Sequence, residues 1–460
     1  MRPSSSTSES GWLPGGLLQP LFSDDDVDAT IGDDAVVAAM LRFEWELAGA
    51  QAELGLIPAE AAAAIARTAN DLVLNPAELG RAALAAGNPV NPLVRGLTAA
   101  VPESTRPFVH LGTTSQDVLD SALMLVAKLA CERIRTLVDG ASEALLRLIE
   151  EHRRTPMAAR TLGQQALPTT VGRVAAGWLV ALDEAGDRLA TVAGERLAVQ
   201  LGGAAGTLTG LDGRGTELVR ALAGRLDLVE PTLPWHTDRL RLLELAGALG
   251  GVVAAAGKVA LDLVLLAQSE LAEMLPAAGG GSTAMPHKQN PVDAILVRAA
   301  AMRAPGLVAT MFTAAAAHEN ERAAGGWHAE WEPLRQLLSL TGGAVGRLSA
   351  ALTGLRVDAE RMRADLELTG GLLYSESVAA RLAPALGRDV AHELVGECVR
   401  RAGCDGTDFA TVLRDEPRVR SVLDEDTLTA ALQPGSGTET ADALVDRALE
   451  AHARRRGETA

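Results

Sequence analysis

The residues best equipped for chemistry sit together in Gly279 to Pro291, GGGSTAMPHKQNP. Ser282 and Thr283 supply hydroxyl oxygens that can take or give a proton. Lys288 and Asn290 supply donors suited to a carboxylate and to negative charge building on it, while the sequence leaves open whether Thr283 or His287 shares the proton transfer. Gly279, Gly280 and Gly281 let the backbone reach positive φ and approach a ligand closely, so the stretch reads as a loop that opens and closes. A glycine run by itself could equally be a connector between helices. The mixture of mobility, hydroxyls and cationic donors in thirteen residues favours a catalytic loop.

Weaker patches of the same character precede it. Thr114, Ser115, Gln116 and Asp117 are four consecutive polar residues at the mouth of a helix. Capping explains one of them, while the set with its backbone N–H groups also suits an anion. Asn88 and Asn91 lie in GNPVNPL, a stretch whose two prolines and glycine argue against regular helix; they face a ligand or make a polar turn. Arg160 and Gln164 are polar anchors in the otherwise apolar, loop-like patch MAARTLGQQALPTTVG (157–172). His236 in PWHTDR is an anion ligand or a cap. The link QLGGAAGTLT (200–209) suggests a phosphate loop, but no strand precedes it and no GK[ST] follows, which excludes that reading. No HExxH occurs, since His318–Glu319 and His392–Glu393 lack the second histidine, and three scattered cysteines form no CxxC pair. Neither a metal nor an organic cofactor is implied.

Long helices must position these patches. Ala, Leu, Val and Gly dominate and aromatics make up 3% of the 460 residues, a composition for helices packed through small side chains. Helical periodicity runs from about 33 to 54, from Pro58 to about 72, and from Val118 to about His152, the last roughly 50 Å long at about 1.5 Å per residue. Further helices are expected from about 172 to 200, from about 239 to Met274 as the longest, from Pro291 to about 317, and up to about 352. Five of these form an all-α bundle with the motif-bearing loops at its ends. The stretch 245–267 is apolar enough to raise a membrane question, but Lys258 and Asp262 interrupt it, so a helix buried in an oligomer is expected. The first ten residues are polar, so 1–16 reads as a disordered tail without a secretion signal, and the cysteine usage points to reducing cytosol. An N-terminal helical domain is expected over 17–108, the bundle over 109–355, a helical C-terminal domain over 356–450 and a charged tail over 451–460. The net charge of −17 argues against nucleic acid. An anionic substrate then requires a locally positive pocket.

The order of the patches resembles the fumarase/aspartase superfamily over about 17–449. Its signature GSSxMPxKxNP is matched by Gly281, Ser282, Met285, Pro286, Lys288, Asn290 and Pro291, with Thr283 in place of the second serine. Within it the chain is most similar to the bacterial cycloisomerases that lactonise 3-carboxy-cis,cis-muconate, through HLGTTSQDVLD, RTLGQQALPTTVG, QLGGAAGTL, LPWHT and ERAAGGWHAEW. The resemblance implies a central five-helix bundle flanked by two smaller helical domains, in homotetramers whose active sites draw on three subunits. It implies Ser282 as the proton carrier and Lys288 as a second catalytic residue. Thr114, Ser115, Gln116, Arg160, Gln164, His236, Thr283, Met285, Asn290, Arg322 and Asn88 are implied as binding groups for a small polycarboxylate. Adenylosuccinate lyases carry RTHGQ where this chain has RTLGQ, and that histidine protonates the departing amine; Leu162 cannot. Trp327 and Trp331 fall near the places where those enzymes hold a nucleotide phosphate. Both departures argue against adenylosuccinate cleavage.

Overall fold

The computed structural model describes residues 16–276, 280–281, 285, 287–435 and 439–457. It is all-α apart from short strand pairs, and its five long helices are Ser115–His152, Val171–Glu195, Leu240–Leu266, Val292–Ala316 and Gly326–Thr353. Compactness divides the chain into two units, one of Met1–Val138, Ala185–Gly257 and Leu296–Arg347, the other of Asp139–Glu184, Lys258–Ile295 and Leu348–Ala460. The tail expected over 1–16 lies outside the described residues except for Gly16.

In the first unit, the helix Ser115–His152 buries Val118, Ala122 and Val126 completely or nearly so, a spacing of four that lines one face. Burying each large apolar side chain contributes about 1.5–3 kcal/mol. Leu245, Leu249, Val252 and Val253 do the same for the helix Leu240–Leu266. Small residues bring that helix close to Val292–Ala316: a Cβ on Gly257 would stand 2.4 Å from Ala301 Cβ. Any larger side chain at Gly257 would push the two helices apart.

In the second unit, Asp262 and Lys258 are explained by a shared partner. Asp262 Oδ2 accepts from Trp178 Nε1 at 2.8 Å and pairs with Lys258, which itself lies 5.9 Å from the Trp178 ring centre. The polar interruption of an apolar helix is thus a satisfied cluster. Val378, Leu382, Leu394, Phe409 and Leu413 form a separate core under the helices Ser375–Leu386 and Arg388–Asp405.

Four sequence expectations are corrected. Residues 157–172 form a hairpin, β1 (Pro156–Thr161) and β2 (Gln164–Thr170), and not a loop. Its two-residue turn places Leu162 (φ 52°) and Gly163 (φ 79°) in the left-handed region, as a type I′ turn demands, and Leu-Gly is a faint signal for it. Secondly, helix Val90–Ala100 begins inside GNPVNPL. Pro92 lies in its first turn, where no helical N–H is required, and Asn88 Oδ1 caps it by accepting from Val90 N (3.1 Å) and Asn91 N (3.4 Å). Thirdly, the helix expected to reach Met274 stops at Leu266, and the longest helix is Ser115–His152, with 38 residues. Met274–Leu275 pairs instead with Arg356–Val357. Lastly, Gly280 and Gly281 are not at positive φ. They pair with Gln289–Asn290, and Gly280 is required because a Cβ there would meet Val292 Cγ2 at 2.2 Å.

Two helices, Leu240–Leu266 and Val292–Ala316, are long and apolar enough to cross a membrane, with 50% and 22% of their apolar windows buried. Met302 and Phe312 stand exposed on the second of them.

Candidate active site

In the first unit, the turn before the longest helix is built around one carboxylate. Asp117 is fully buried. Among the described residues it accepts from Thr113 Oγ1 (3.1 Å), the N–H groups of Thr114 (3.1 Å), Gly202 (3.0 Å) and Gly203 (2.9 Å), and His236 Nε2 (2.6 Å). Because an ionised carboxylate only accepts, His236 donates from Nε2. The glycine-rich link therefore cradles a side chain of the protein itself. At Gly202 no Cβ fits, since it would stand 2.7 Å from His236 Cε1 and 2.8 Å from Pro234 Cβ.

Around this hub the structure gathers most of the expected binding residues of the unit. Gln116, buried, donates from Nε2 to His236 O (2.8 Å) and accepts at Oε1 from Arg322 Nη1 (3.2 Å). Arg322 also donates to Gly203 O (2.7 Å) and Ala204 O (3.1 Å), which fixes its guanidinium beside the turn. The half-buried hydroxyls of Thr114 and Ser115 have no partner among the described residues. Asn88 is not bonded to this group. Its Nδ2 donates to Ala86 O (3.2 Å) while its oxygen caps the next helix.

Below the turn lies a buried ion cluster that sequence reasoning missed. Arg239 donates to Asp120 Oδ2 (2.7 Å) and Oδ1 (3.0 Å) and to Glu330 Oε2 (2.7 Å), and Trp327 Nε1 donates to Asp120 Oδ1 (2.9 Å). Burial opposes the charge on Arg239, but Asp120 and Glu330 raise its pKa above the ordinary arginine value. Burial also raises Glu330, against the pull of Arg239. His318 Nε2 lies 3.1 Å from Glu330 Oε1 without hydrogen-bond geometry, and burial followed by Arg239 lowers its pKa. Trp331 packs edge-on to Trp327 with ring centres 4.9 Å apart.

One further residue of this turn escaped the sequence reading. His110 has φ 59° and its Nδ1 stands 2.6 Å from Glu44 Oε1, a carboxylate 1% exposed in the helix Asp33–Glu53. Gln51 on the same helix donates from Nε2 to Leu111 O at 2.7 Å. The pairing spans 66 residues of sequence, so no local spacing announces it.

In the second unit, Arg160 on β1 forms a two-pronged pair with fully buried Glu273, both bonds 2.7 Å. Such a fork is among the strongest side-chain contacts, and it ties the hairpin to the segment that leads into the glycine-rich loop. Gln164 opens β2, exposed beside the turn. Lys288 and Met285 are exposed, and Asn290 Nδ2 donates to Gly280 O at 3.2 Å. Ser282 and Thr283, the expected hydroxyls, lie outside the described residues. Among the described residues, no group of three or more His, Cys, Asp or Glu is placed to hold a metal ion.

Comparison with known proteins adds a family context. Residues 28–306 match the family described as Lyase, and residues 371–448 match the one described as Adenylosuccinate lyase C-terminus. A nitrosuccinate lyase of Streptomyces davaonensis is 44% identical, covering 94% of this chain and 94% of that protein. A 3-carboxy-cis,cis-muconate cycloisomerase of Pseudomonas aeruginosa is 42% identical, covering 95% and 96%. The crystal structure of the 3-carboxy-cis,cis-muconate lactonizing enzyme from Pseudomonas putida superposes with a TM-score of 0.88 at 38% identity, covering 95% of this chain and 99% of that one.

Proposed function

The chain belongs to the fumarase/aspartase superfamily of lyases, and from that premise we propose that it is a 3-carboxy-cis,cis-muconate cycloisomerase of the protocatechuate branch of the β-ketoadipate pathway. In this reaction one substrate carboxylate oxygen bonds to an alkene carbon, the π electrons move toward the carbon α to another carboxylate, and a proton is added there. The product is 4-carboxymuconolactone. Ser282 carries the proton, and Lys288 and Asn290 hold the carboxylate whose α-carbon is protonated, stabilising the enolate-like charge. Thr114, Ser115, Gln116, Arg322, His236, Arg160, Gln164, Thr283, Met285 and Asn88 bind or position the remaining carboxylates. A positive cleft in an acidic protein accommodates the trianion. No cofactor takes part.

The observation that carries this reading is Leu162 at the hairpin tip, fully exposed, where adenylosuccinate lyases place their acid histidine. In the reverse direction a lactone carboxylate leaves as a stable anion and needs no proton donor. The same logic admits a second reading favoured by the 44% relative: elimination of nitrite, also a stable anion, from nitrosuccinate with release of fumarate. The exposed apolar residues Met302 and Phe312 support assembly into a cytosolic homotetramer with shared active sites.

An ultraviolet time course with 3-carboxymuconate, run beside fumarate and nitrite assays with nitrosuccinate, separates the readings. Loss of the diene absorbance without fumarate supports the cycloisomerase. Fumarate with stoichiometric nitrite replaces it by the second reading, and inertness toward both substrates overturns both.

A further inference from the structure

We propose that Glu273 is a positioning residue for the reaction: its carboxylate takes both prongs of the Arg160 guanidinium and so sets the hairpin tip in place, while Arg160 itself binds no substrate. This rests on the reading of the tip, with Gln164 beside it, as part of the substrate site.

The hairpin has two parts. Its ladder pairs Pro156 with Thr170 through to Ala158 with Pro168 and then slips, so that Ala159 on β1 stands opposite both Ala166 and Leu167 on β2 before pairing resumes between Arg160 and Gln165. Such a slip bends a hairpin and disrupts the ladder, which leaves the residues beyond it less firmly placed. Each strand is tied down again immediately past that point. On β1, Arg160 donates from Nη1 and Nη2 to Glu273, both bonds 2.7 Å; on β2, Gln165 Nε2 donates to Asp365 O at 2.7 Å. The core is already closed before the slip by fully buried Ala158, so the two ties serve the tip section 160–165.

The anchor is held from several sides. Glu273 is fully buried, its N–H donates to Leu266 O (2.9 Å), its carbonyl accepts from Asp358 N (3.0 Å), and Met274–Leu275 pairs with Arg356–Val357. The second tie ends on the same framework, since Arg361 donates to Leu271 O (2.8 Å) and pairs with Asp365 (3.1 Å). Charge completes the case. The guanidinium is matched one for one by a buried carboxylate in fork geometry, so the pair offers an anion no net attraction. Arg160 could serve a substrate only by leaving Glu273 as an unpaired buried charge.

The test is kinetic, with the full chain and whichever of the two substrates named above the wild type converts. Glu273→Gln keeps the shape and loses the charge. The double variant Arg160→Met/Glu273→Met substitutes an apolar pair of similar size, a replacement that buried ion pairs commonly tolerate. Circular dichroism and thermal midpoints check folding, and if the double variant does not fold, Glu273→Gln decides by the same readings. Both variants should lose roughly tenfold to a hundredfold in kcat with KM within about twofold of wild type, because a misplaced tip slows the bound complex more than it weakens binding. A folded variant with wild-type kcat overturns the inference, as does a KM raised about tenfold or more, which would make Arg160 a ligand. If neither substrate is converted, the functional reading fails by itself and hydrogen exchange decides this one. The amides of 160–165 should then exchange roughly tenfold faster in both variants than in wild type, whereas unchanged exchange sinks the inference.

Discussion

Two turns, His110–Gly112 and Leu162–Gly163, pose the same backbone problem, and their solutions differ in what enforces them. Each places a non-glycine residue at positive φ, 59° for His110 and 52° for Leu162, with a glycine at positive φ close behind. Left-handed geometry costs such a residue roughly 1–2 kcal/mol. At the first turn the cost is offset by tertiary bonds: Glu44 on His110, Gln51 on Leu111 O and the donors that converge on Asp117. At the second turn the two residues at the tip are set by the hairpin ladder, and Leu162 has a relative exposure of 103%. One turn is over-determined by its surroundings; the other is determined by its own two strands.

The largest expected effect falls at the hub of the first turn. Asp117→Ala removes the only acceptor described for Thr113 Oγ1, Gly202 N, Gly203 N and His236 Nε2, leaving buried donors unpaired. A loss of about 3–5 kcal/mol is expected, a large part of the stability of an ordinary domain. Urea unfolding checks it, and a loss below about 1 kcal/mol would show that the turn is not held by this carboxylate.

The paired glycines sharpen the contrast. Gly202→Ala must displace His236 and Pro234 and should cost about 1–3 kcal/mol. Gly163→Ala meets no atom within 4 Å, so only its φ of 79° opposes it, at about 1 kcal/mol. If thermal midpoints rank the two in the opposite order, packing around Asp117 is looser than the geometry states.

These turns also divide what could be read in the sequence from what could not. The long helices were legible because apolar side chains recur at helical spacing, as Val118, Ala122 and Val126 do. Thr114 through Asp117 announced a polar turn, and the signature from Gly281 to Pro291 announced the family. The partners were not legible. Asp117 meets Gly202 across 85 residues and Arg160 meets Glu273 across 113, and no periodicity encodes such pairings. The hairpin was missed for a local reason, since Leu-Gly lacks the asparagine that usually marks a type I′ turn. Pro92 misled because a proline that breaks a helix interior is harmless in its first turn.

A pH series separates the turns further. His110 has a folded pKa above its ordinary 6.5, so its pairing with Glu44 stabilises fully below that value and is lost as pH rises through the folded pKa. The gap in thermal midpoint between wild type and His110→Asn should therefore be widest below pH 6.5 and narrow above it. A gap that is constant with pH would mean that Glu44 holds the loop through shape alone. No ionisable group defines the Leu162 turn, so substitutions there should give pH-independent gaps.

The smallest stability effect, and the only one expected to be favourable, belongs to Leu162→Asn. Asparagine tolerates the left-handed region far better than leucine, and Asn-Gly is the pair that a two-residue hairpin turn prefers. Nothing packs on the leucine side chain in the isolated chain, so its removal forfeits no buried surface. A gain of up to about 1 kcal/mol should follow, read as a raised thermal midpoint. Turnover should move the other way if Leu162 lends an apolar wall to the substrate site in the assembled enzyme. An apolar side chain displaces water there and asparagine does not. A higher midpoint with a lower kcat/KM would identify the strain as maintained for function. A higher midpoint with unchanged kcat/KM would leave the leucine without a role in catalysis. A lower midpoint would mean that the ladder from Pro156 to Thr170 does not set the geometry of its own turn.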